Sequence, residues 1–269
     1  MAFLDKVKPP MKIALTTLGC KVNQCDSAML AAGLNAAGFM VAPFNAPADV
    51  YIINTCTVTG FADFQARQLI RRAKRANPSA RISVTGCYAQ TQPQSIAGME
   101  GVTLVVGNDQ KHNIIDLLSR PIPDARKIFV DDIFLQTQFP AGRAHQIPER
   151  TRAFFKIQDG CNAFCSYCIV PFARGKSRSL PLKETLTGID HFVGQGYREI
   201  VLTGIHLGQY GLDLHPPIPL AAALDKILSR RDDARLRLSS IEPNEITDEL
   251  LSLFKAYPHL CPHLHIPLQ

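Results

Sequence analysis

The sequence predicts an α/β protein in two parts, an open doubly wound parallel sheet followed by a partial β/α barrel. Three observations carry that expectation. Short apolar runs that read as strands alternate with helical patterns along most of the 269 residues. The alternation breaks once, between residues 121 and 150, where Pro121, Pro123, Pro140 and Pro148 fall. Beyond that break the β–α unit recurs every 30–35 residues or so, roughly the period of a β/α barrel. The expected organisation is therefore a first domain over residues 1–120, a linker over 121–150 and a second domain over 151–269.

In the first domain, residues 12–18 read as a strand, and Asp26 is expected to cap a helix running to residue 37, with Gly38 as its stop signal. A short strand over 39–43 and a buried one over 50–53 come next. A basic helix over 61–76 ends ahead of Asn77-Pro78, because the residue before a proline is driven out of the helical region. Strands over 82–85 and 103–106 and a helix over 111–118 complete five strands with helical crossovers, which suits a flavodoxin-like order 2-1-3-4-5. The linker is expected to hold one hairpin near 127–135. The second domain reads as a strand over 154–157, a cysteine-rich loop, a helix over 182–193, a strand over 199–203, a helix over 220–229, a strand over 235–239, a helix over 248–257 and a strand over 263–267. That last strand has no helix after it and leaves an open edge, so the sequence is expected to be a piece, or a short version, of something longer.

Composition narrows the class. An apolar fraction of 46% with 19% charged residues is ordinary for a globular protein, and the length is enough for two buried cores. No apolar run approaches the roughly 18–20 residues of a membrane span. The opening MAFLDKVKPP lacks the apolar stretch of a secretory signal. A cytoplasmic protein with no membrane partner is expected. The net charge of +6 is compatible with a polyanionic partner. Arg67, Arg71 and Arg75 recur at intervals of four residues and share one face of the basic helix, which is either a solvated surface or a patch facing nucleic acid.

Eight cysteines without a secretory signal point to metal or redox chemistry rather than disulfides. Cys161, Cys165 and Cys168 form a C-x₃-C-x₂-C pattern in the loop after a strand. Three thiolates can hold three irons of a [4Fe–4S] cube and leave the fourth open to S-adenosylmethionine, whose reductive cleavage gives a 5′-deoxyadenosyl radical. Structural zinc competes, but it wants a fourth Cys or His close by. The next candidates, His191 and His206, lie on a helix and past the following strand, and neither is expected within reach. Cys20, Cys56 and Cys87 are far apart in sequence, yet each comes just past the carboxyl end of an expected strand. In the order 2-1-3-4-5 those three strands are neighbours whose ends converge on one crevice. Three buried cysteines filling core space is the competing explanation.

The cysteine loop, with Tyr167 ahead of its third cysteine, resembles the radical S-adenosylmethionine (SAM) superfamily. The run from Gln158-Asp159-Gly160 through Arg174-Gly175-Lys176-Ser177-Arg178-Ser179 is similar to its methylthiotransferase branch. So are Gly19-Cys20-Lys21-Val22-Asn23-Gln24, Asn54-Thr55-Cys56-Thr57-Val58-Thr59 and Thr85-Gly86-Cys87-Tyr88-Ala89-Gln90. The resemblance covers residues 11–269 and makes the second domain a truncated radical-SAM β/α barrel. It implies two [4Fe–4S] clusters, one on Cys161, Cys165 and Cys168 and an auxiliary one on Cys20, Cys56 and Cys87 at which sulfur is inserted. The runs Val201–Gly208, Leu238–Pro243 and His263–Gln269 resemble the branch that acts on N6-threonylcarbamoyladenosine beside the tRNA anticodon.

By family position, Tyr167, Thr203, Gly204, Ser239, Ser240 and Glu242 are expected at SAM. Arg174, Arg178 and Lys176 are expected at substrate phosphate or at the SAM carboxylate, and Arg67, Arg71 and Arg75 at RNA. The family also implies an electron donor such as flavodoxin or ferredoxin, a sulfur donor that the sequence does not identify, and a C-terminal RNA-gripping domain. Cys25 matches no ligand position, and Cys261 reads as a packed thiol. Four alternatives stay open: a methylthiotransferase for isopentenyladenosine in tRNA, one for a ribosomal protein, a radical enzyme whose second cluster only carries electrons, and a non-enzymatic cluster- or zinc-stabilised RNA-binding module.

Overall fold

The computed structural model describes residues 11–119, 127–140 and 151–267. The described residues fall into two compact units. One contains the residues up to Leu18 together with Leu30–Asp131, and the other Gly19–Met29 together with the residues from Asp132 onward.

The first unit is built on a parallel sheet. Its elements are β1 (Lys12–Thr17), α1 (Lys21–Ala36), β2 (Met40–Ala42), β3 (Val50–Thr55), α2 (Gly60–Ala76), β4 (Arg81–Gly86), α3 (Cys87–Thr91), α4 (Pro93–Ala97), β5 (Val102–Val106), α5 (Ile114–Ser119) and β6 (Lys127–Phe129). The strands lie in the order β2-β1-β3-β4-β5-β6, all parallel, which is the expected flavodoxin-like order with one strand added. Side chains alternate across a strand, and the central strand β3 shows how that builds two cores. Val50 and Ile52 pack with Leu30 and Leu34 of α1 and Ile114 and Leu118 of α5. Tyr51 and Ile53 pack on the other face with Ala66, Ile70 and Ala73 of α2 and with Tyr88 and Ile96. Both faces are covered, so residues 50–53 form an unbroken apolar run, as buried parallel strands do. Truncating Ile53 to alanine would open a cavity costing about 2–5 kcal/mol.

Helix α2 is well specified locally. Thr59 caps it through an Ala62 N–H bond of 3.2 Å, Asp63 sits in the first turn, and Lys74 and Arg75 sit in the last, in keeping with the helix dipole. Helix α1 departs from expectation. It begins at Lys21 rather than near Asp26, with the Cys20 carbonyl accepting the Gln24 N–H at 3.1 Å. Asp26 is not a cap but an interior helical residue, 4% exposed, whose carboxylate is engaged by buried cations. The hairpin expected near 127–135 does not form either. Lys127–Phe129 joins the sheet beside β5, satisfying that strand's outer edge, and Ile133–Leu135 is a 3₁₀ turn. The remainder of the expected linker, residues 121–126 and 141–150 with Pro121, Pro123 and Pro148, lies outside the described residues.

The second unit continues with β7 (Ala153–Lys156), β8 (Gln158–Asp159), α6 (Val170–Arg174), β9 (Arg178–Ser179), α7 (Leu182–Gly194), β10 (Glu199–Thr203), α8 (Leu220–Leu228), β11 (Arg235–Leu238) and α9 (Asp248–Ala256). The strands β11-β10-β7 form a parallel sheet, the expected partial barrel. Its helix-facing residues, among them Phe155, Ile200, Leu202 and Leu238, share one core with Ile189 and Phe192 of α7, Leu224 of α8 and Leu250 of α9. Gly188 lets α7 approach, since a Cβ there would lie 2.2 Å from the Phe155 ring. The strand expected over 263–267 is reduced to two isolated parallel bridges, Leu236↔Leu260 and Ser240↔His265. Pro262 and Pro267 lack the N–H that a continuous ladder needs.

Candidate functional site

The cysteine loop, residues 160–176, is stitched shut by its own backbone. The Cys161 N–H donates to the Gly175 carbonyl at 3.0 Å, the Ser177 N–H to Asn162 Oδ1 at 2.9 Å, and β8 pairs antiparallel with β9. Gly160 and Gly175 both have φ of 75°, and a Cβ on Gly160 would lie 2.0 Å from the Lys176 carbonyl oxygen. Glycine alone fits there. Within the loop Phe164 takes a left-handed conformation (φ 48°), and the Cys168 N–H donates to the Cys165 carbonyl at 2.9 Å in a tight turn. Phe134, Phe164 and Phe172 pack as a trio with ring centroids 5.9–6.1 Å apart along one side. Cys165 is exposed and Cys161 and Cys168 partly so. Three accessible thiols on one short closed loop are the donor chemistry that an iron–sulfur cube requires. As they stand, no three His, Cys, Asp or Glu side chains among the described residues are gathered around a single metal position.

In the first unit, Cys56 and Cys87 directly follow Thr55 and Gly86, which are register partners on the neighbouring strands β3 and β4. Both thiols are buried, and Cys87 Sγ accepts from Asn108 Nδ2 at 3.7 Å. Gly86 (φ 96°) permits this approach, because a Cβ there would lie 2.3 Å from the Thr55 carbonyl oxygen. β1 reaches the same end of the sheet, with the Leu18 N–H donating to the Asn54 carbonyl at 2.8 Å. Cys20 follows two residues later, is exposed, and is counted with the second unit. No disulfide links any of the eight cysteines. Cys25 is buried, its thiol pushed up to about 12 by that burial, and Cys261 is fully buried.

The other expected residues scatter more. Thr203 ends β10 with its carbonyl accepting the Ile157 N–H at 2.9 Å, and Gly204 follows so close to Gln158 that a Cβ would lie 2.6 Å from its Oε1. Ser239 is buried and its hydroxyl has no hydrogen-bond partner among the described residues, while Ser240 Oγ is 3.0 Å from His265 Nδ1. Glu242 caps a 3₁₀ turn, Pro243–Glu245, in a reciprocal capping box. Tyr167 is exposed. Arg71 and Arg75 are exposed on α2, and Arg67 is half-buried with its guanidinium donating to the Tyr88 hydroxyl at 3.3 Å. At the start of the same helix Phe61 and Phe64 are exposed and stacked at 6.3 Å.

Arg174 and Arg178, expected at substrate phosphate, are buried instead, at 2% and 4% exposure. Arg174 Nη1 donates to Asp26 Oδ2 at 2.9 Å and lies 3.3 Å from Asp159 Oδ2, Arg174 Nη2 donates to Asn23 Oδ1, and Arg178 Nη2 donates to the Arg174 carbonyl at 2.6 Å. Lys156 Nζ completes a buried quartet at 2.6 Å from Asp26 Oδ1 and 3.1 Å from Asp159 Oδ2. Burial pushes the Asp159 carboxyl up, but Lys156, Arg174 and Arg178 outweigh it and hold the group below the ordinary carboxylate range. Burial likewise opposes the Lys156 charge, and Asp26 and Asp159 overcome it and raise that group. Each carboxylate touches both cations, so removing one strands a buried positive charge, which typically costs about 3–5 kcal/mol.

His206 is also closer than expected. Its Nδ1 lies 3.2 Å from Cys161 Sγ, its Nε2 lies 2.6 Å from Glu245 Oε1, and its backbone N–H donates to Gln158 Oε1 at 2.8 Å. The Cys161 sulfur first, and then Glu245, push the imidazole up to about 10. A Cβ on Gly208 would lie 1.9 Å from Glu245 Oε2, so that glycine leaves room for the carboxylate. Sequence spacing places His206 out of reach of the cysteine loop, whereas the bond of its backbone N–H to Gln158 Oε1 holds the segment after β10 beside it.

Comparison with known proteins fits this geometry. Residues 155–269 match the model of the radical SAM superfamily, and residues 12–107 match that of the uncharacterized protein family UPF0004. The threonylcarbamoyladenosine tRNA methylthiotransferase MtaB of Bacillus subtilis is 41% identical over 264 residues, covering 96% of this chain and 57% of its own length. The MtaB of Aquifex aeolicus is 39% identical over 260 residues, covering 96% of this chain and 63% of its own. The chain thus spans about three-fifths of the length of the curated relatives it matches. Among solved structures, the radical SAM methyltransferase TsrM of Kitasatospora setae superposes with a TM-score of 0.63 at 16% identity, over 96% of this chain and 60% of its own, a likeness of fold. Both modules are matched, and over nearly its whole length the chain is similar to curated threonylcarbamoyladenosine tRNA methylthiotransferases.

Proposed function

We propose that the chain is the core of a tRNA methylthiotransferase that converts N6-threonylcarbamoyladenosine beside the anticodon to its 2-methylthio derivative. The observation that carries the reading is the closed cysteine loop, set in a chain 41% identical to a relative named for that activity. In this reading Cys161, Cys165 and Cys168 hold one [4Fe–4S] cluster and Cys20, Cys56 and Cys87 an auxiliary one. When bound, the clusters and SAM would supply the carbon-centred radical and the methyl group, with sulfur from a separate donor inserted at the auxiliary cluster. The chain's own residues do the rest. The loop's backbone closure holds its thiols together, and the Phe134, Phe164 and Phe172 trio packs along its flank. Thr203 and Gly204 would lie near the SAM amine, and Ser239, Ser240 and Glu242 would approach the SAM ribose. Tyr167 stands beside the same cofactor.

Arg71 and Arg75 contact the tRNA backbone, with Arg67 behind them. Arg174 and Arg178 act from within the fold rather than on RNA. In this reading residues 1–120 form the auxiliary-cluster domain, 121–150 the connection and 151–269 the radical SAM domain, although Lys127–Phe129 adds a strand to the first sheet and Gly19–Met29 is counted with the second unit. The setting is cytoplasmic, with flavodoxin or ferredoxin as the class of reductant; no described helix is long and apolar enough to cross a membrane. The test is nucleoside mass spectrometry of tRNA from a strain lacking the gene and from the same strain carrying the full-length protein. The 2-methylthio derivative should vanish and return. Its persistence in the deletion strain overturns the assignment, and loss of a methylthio group from isopentenyladenosine instead moves the substrate.

A further inference from the structure

We propose that Asn23 and Asp26 are positioning residues that moor the segment carrying Cys20 to the cysteine loop, so that Cys20 stands at a set spacing from Cys161, Cys165 and Cys168. The inference rests on the reading of Cys20 as an auxiliary-cluster ligand and adds two residues that reading does not use.

Cys20 immediately precedes α1, and Asn23 and Asp26, three residues apart, share a face of its first turns. Both are buried, at 0% and 4% exposure, and residues 19–29 are counted with the second unit rather than with the sheet that the rest of α1 packs against. The partners lie at the two ends of the loop. Arg174 is the last residue of α6, just before Gly175, whose carbonyl accepts the Cys161 N–H; it holds both Asn23 and Asp26. Lys156 closes β7 and holds Asp26 and Asp159, the latter two residues ahead of Cys161. A further tie is Cys25, whose Sγ lies 3.5 Å from the Phe154 carbonyl. The segment beginning at Cys20 is therefore fastened to the entry and the exit of the loop by two shared cations. Neither carboxylate can move away without leaving a buried charge uncompensated, which makes the spacing stiff rather than merely favourable.

The test uses the chain reconstituted with iron and sulfide, and its iron-free form, as wild type, Asn23→Ala and Asp26→Asn. Electron paramagnetic resonance of the reduced protein reads the spin–spin coupling between clusters, which depends steeply on their separation. Iron content should stay at the wild-type level in Asn23→Ala while the coupling changes by about twofold or more. In the iron-free protein, amide exchange over residues 19–25 should rise about tenfold, with the amides of β10 and β11 unchanged, since local opening need not follow global stability. Asn23→Ala removes one neutral partner and keeps the quartet, so it remains informative if Asp26→Asn fails to fold. Coupling and exchange both at wild-type values overturn the proposal, as does exchange that rises equally across β10 and β11. A wild type that assembles one cluster, with no coupling to measure, overturns instead the auxiliary-cluster reading beneath it.

Discussion

Replacing Gly86 by alanine should remove one cluster and spare the other. Gly86 has φ 96° and ψ −165°, a conformation essentially confined to glycine, and a side chain forced into it costs about 1–3 kcal/mol. The new Cβ would also stand 2.3 Å from the Thr55 carbonyl oxygen and 2.6 Å from both Asn54 Oδ1 and the Thr55 nitrogen. To regain even a 3.0 Å contact, β3 and β4 must part by about 0.7 Å at the Thr55↔Gly86 pair. The next residue on each strand is a cysteine, so the displacement passes to the Cys56 and Cys87 thiols. Metal–ligand distances tolerate only about ±0.2 Å. The expected result is a loss of about four irons per chain with the cluster on Cys161, Cys165 and Cys168 retained. The strain alone should lower the melting temperature by about 2–12 °C at about 2–4 °C per kcal/mol. Gly98→Ala is the matched control, since Gly98 is helical (φ −68°) and its Cβ would meet only ordinary contacts at 3.4 and 3.5 Å. Iron and sulfide counts with thermal melts on both variants decide the matter. A Gly86→Ala protein that holds as much iron as Gly98→Ala refutes the reasoning.

Three further outcomes are expected. Replacing Arg71 and Arg75 together with alanine should weaken tRNA binding and flatten the slope of log affinity against log salt by about 1.4–1.8, since each phosphate contact contributes about 0.7–0.9; Arg67→Ala should do less because its guanidinium is engaged by Tyr88, and an unchanged slope in the double variant removes α2 from the RNA surface. In iron-free protein treated with iodoacetamide at pH 8, peptide mass spectrometry should find the exposed Cys20 and Cys165 modified first and Cys25 and Cys261 last; with its thiol pushed up to about 12, Cys25 is thiolate in only about one molecule in ten thousand at that pH, and labelling as fast as Cys165 contradicts its burial. The lowered Asp159 carboxyl contributes stability that is present above the unfolded value near 3.9 and lost as pH falls through its lower folded value, whereas the raised Lys156 contributes stability that is present below about 10.4 and lost as pH climbs through its higher folded value; Asp159→Asn should therefore lower the plateau of melting temperature between about pH 4 and 10 and flatten its acid limb, and an acid limb as steep as wild type contradicts the assignment.

What the sequence made legible was local. The basic helix expected over residues 61–76 matches α2 almost to the residue, because Asn77-Pro78 stops it locally. The apolar run at 50–53 found β3, and the alternation of short strands with helical crossovers anticipated the order of the sheet. What stayed hidden depends on partners far along the chain. Asp26 looks like a cap by composition, yet it is held by Lys156 and Arg174, 130 and 148 residues away. Arg174 and Arg178 carry the charge of a phosphate contact, and only the fold shows both buried, with Arg174 paired to Asp26 and Asp159. The two-residue strands β8 and β9 and the third strand-like piece, β6, are too short to leave a period in the sequence. His206 meets Cys161 across 45 positions through a turn whose course no local pattern records.

The stitched base of the cysteine loop has a thermodynamic consequence. Joining the ends of a flexible stretch costs entropy that grows with the logarithm of its length, and here that cost falls on the folding of the polypeptide, through Cys161–Gly175 and Asn162–Ser177. Iron that arrives later meets a small ring rather than an open thread, and has only the few residues between Cys161 and Cys168 left to organise. A cube can then be lost to oxygen and rebuilt without the surrounding barrel having to refold.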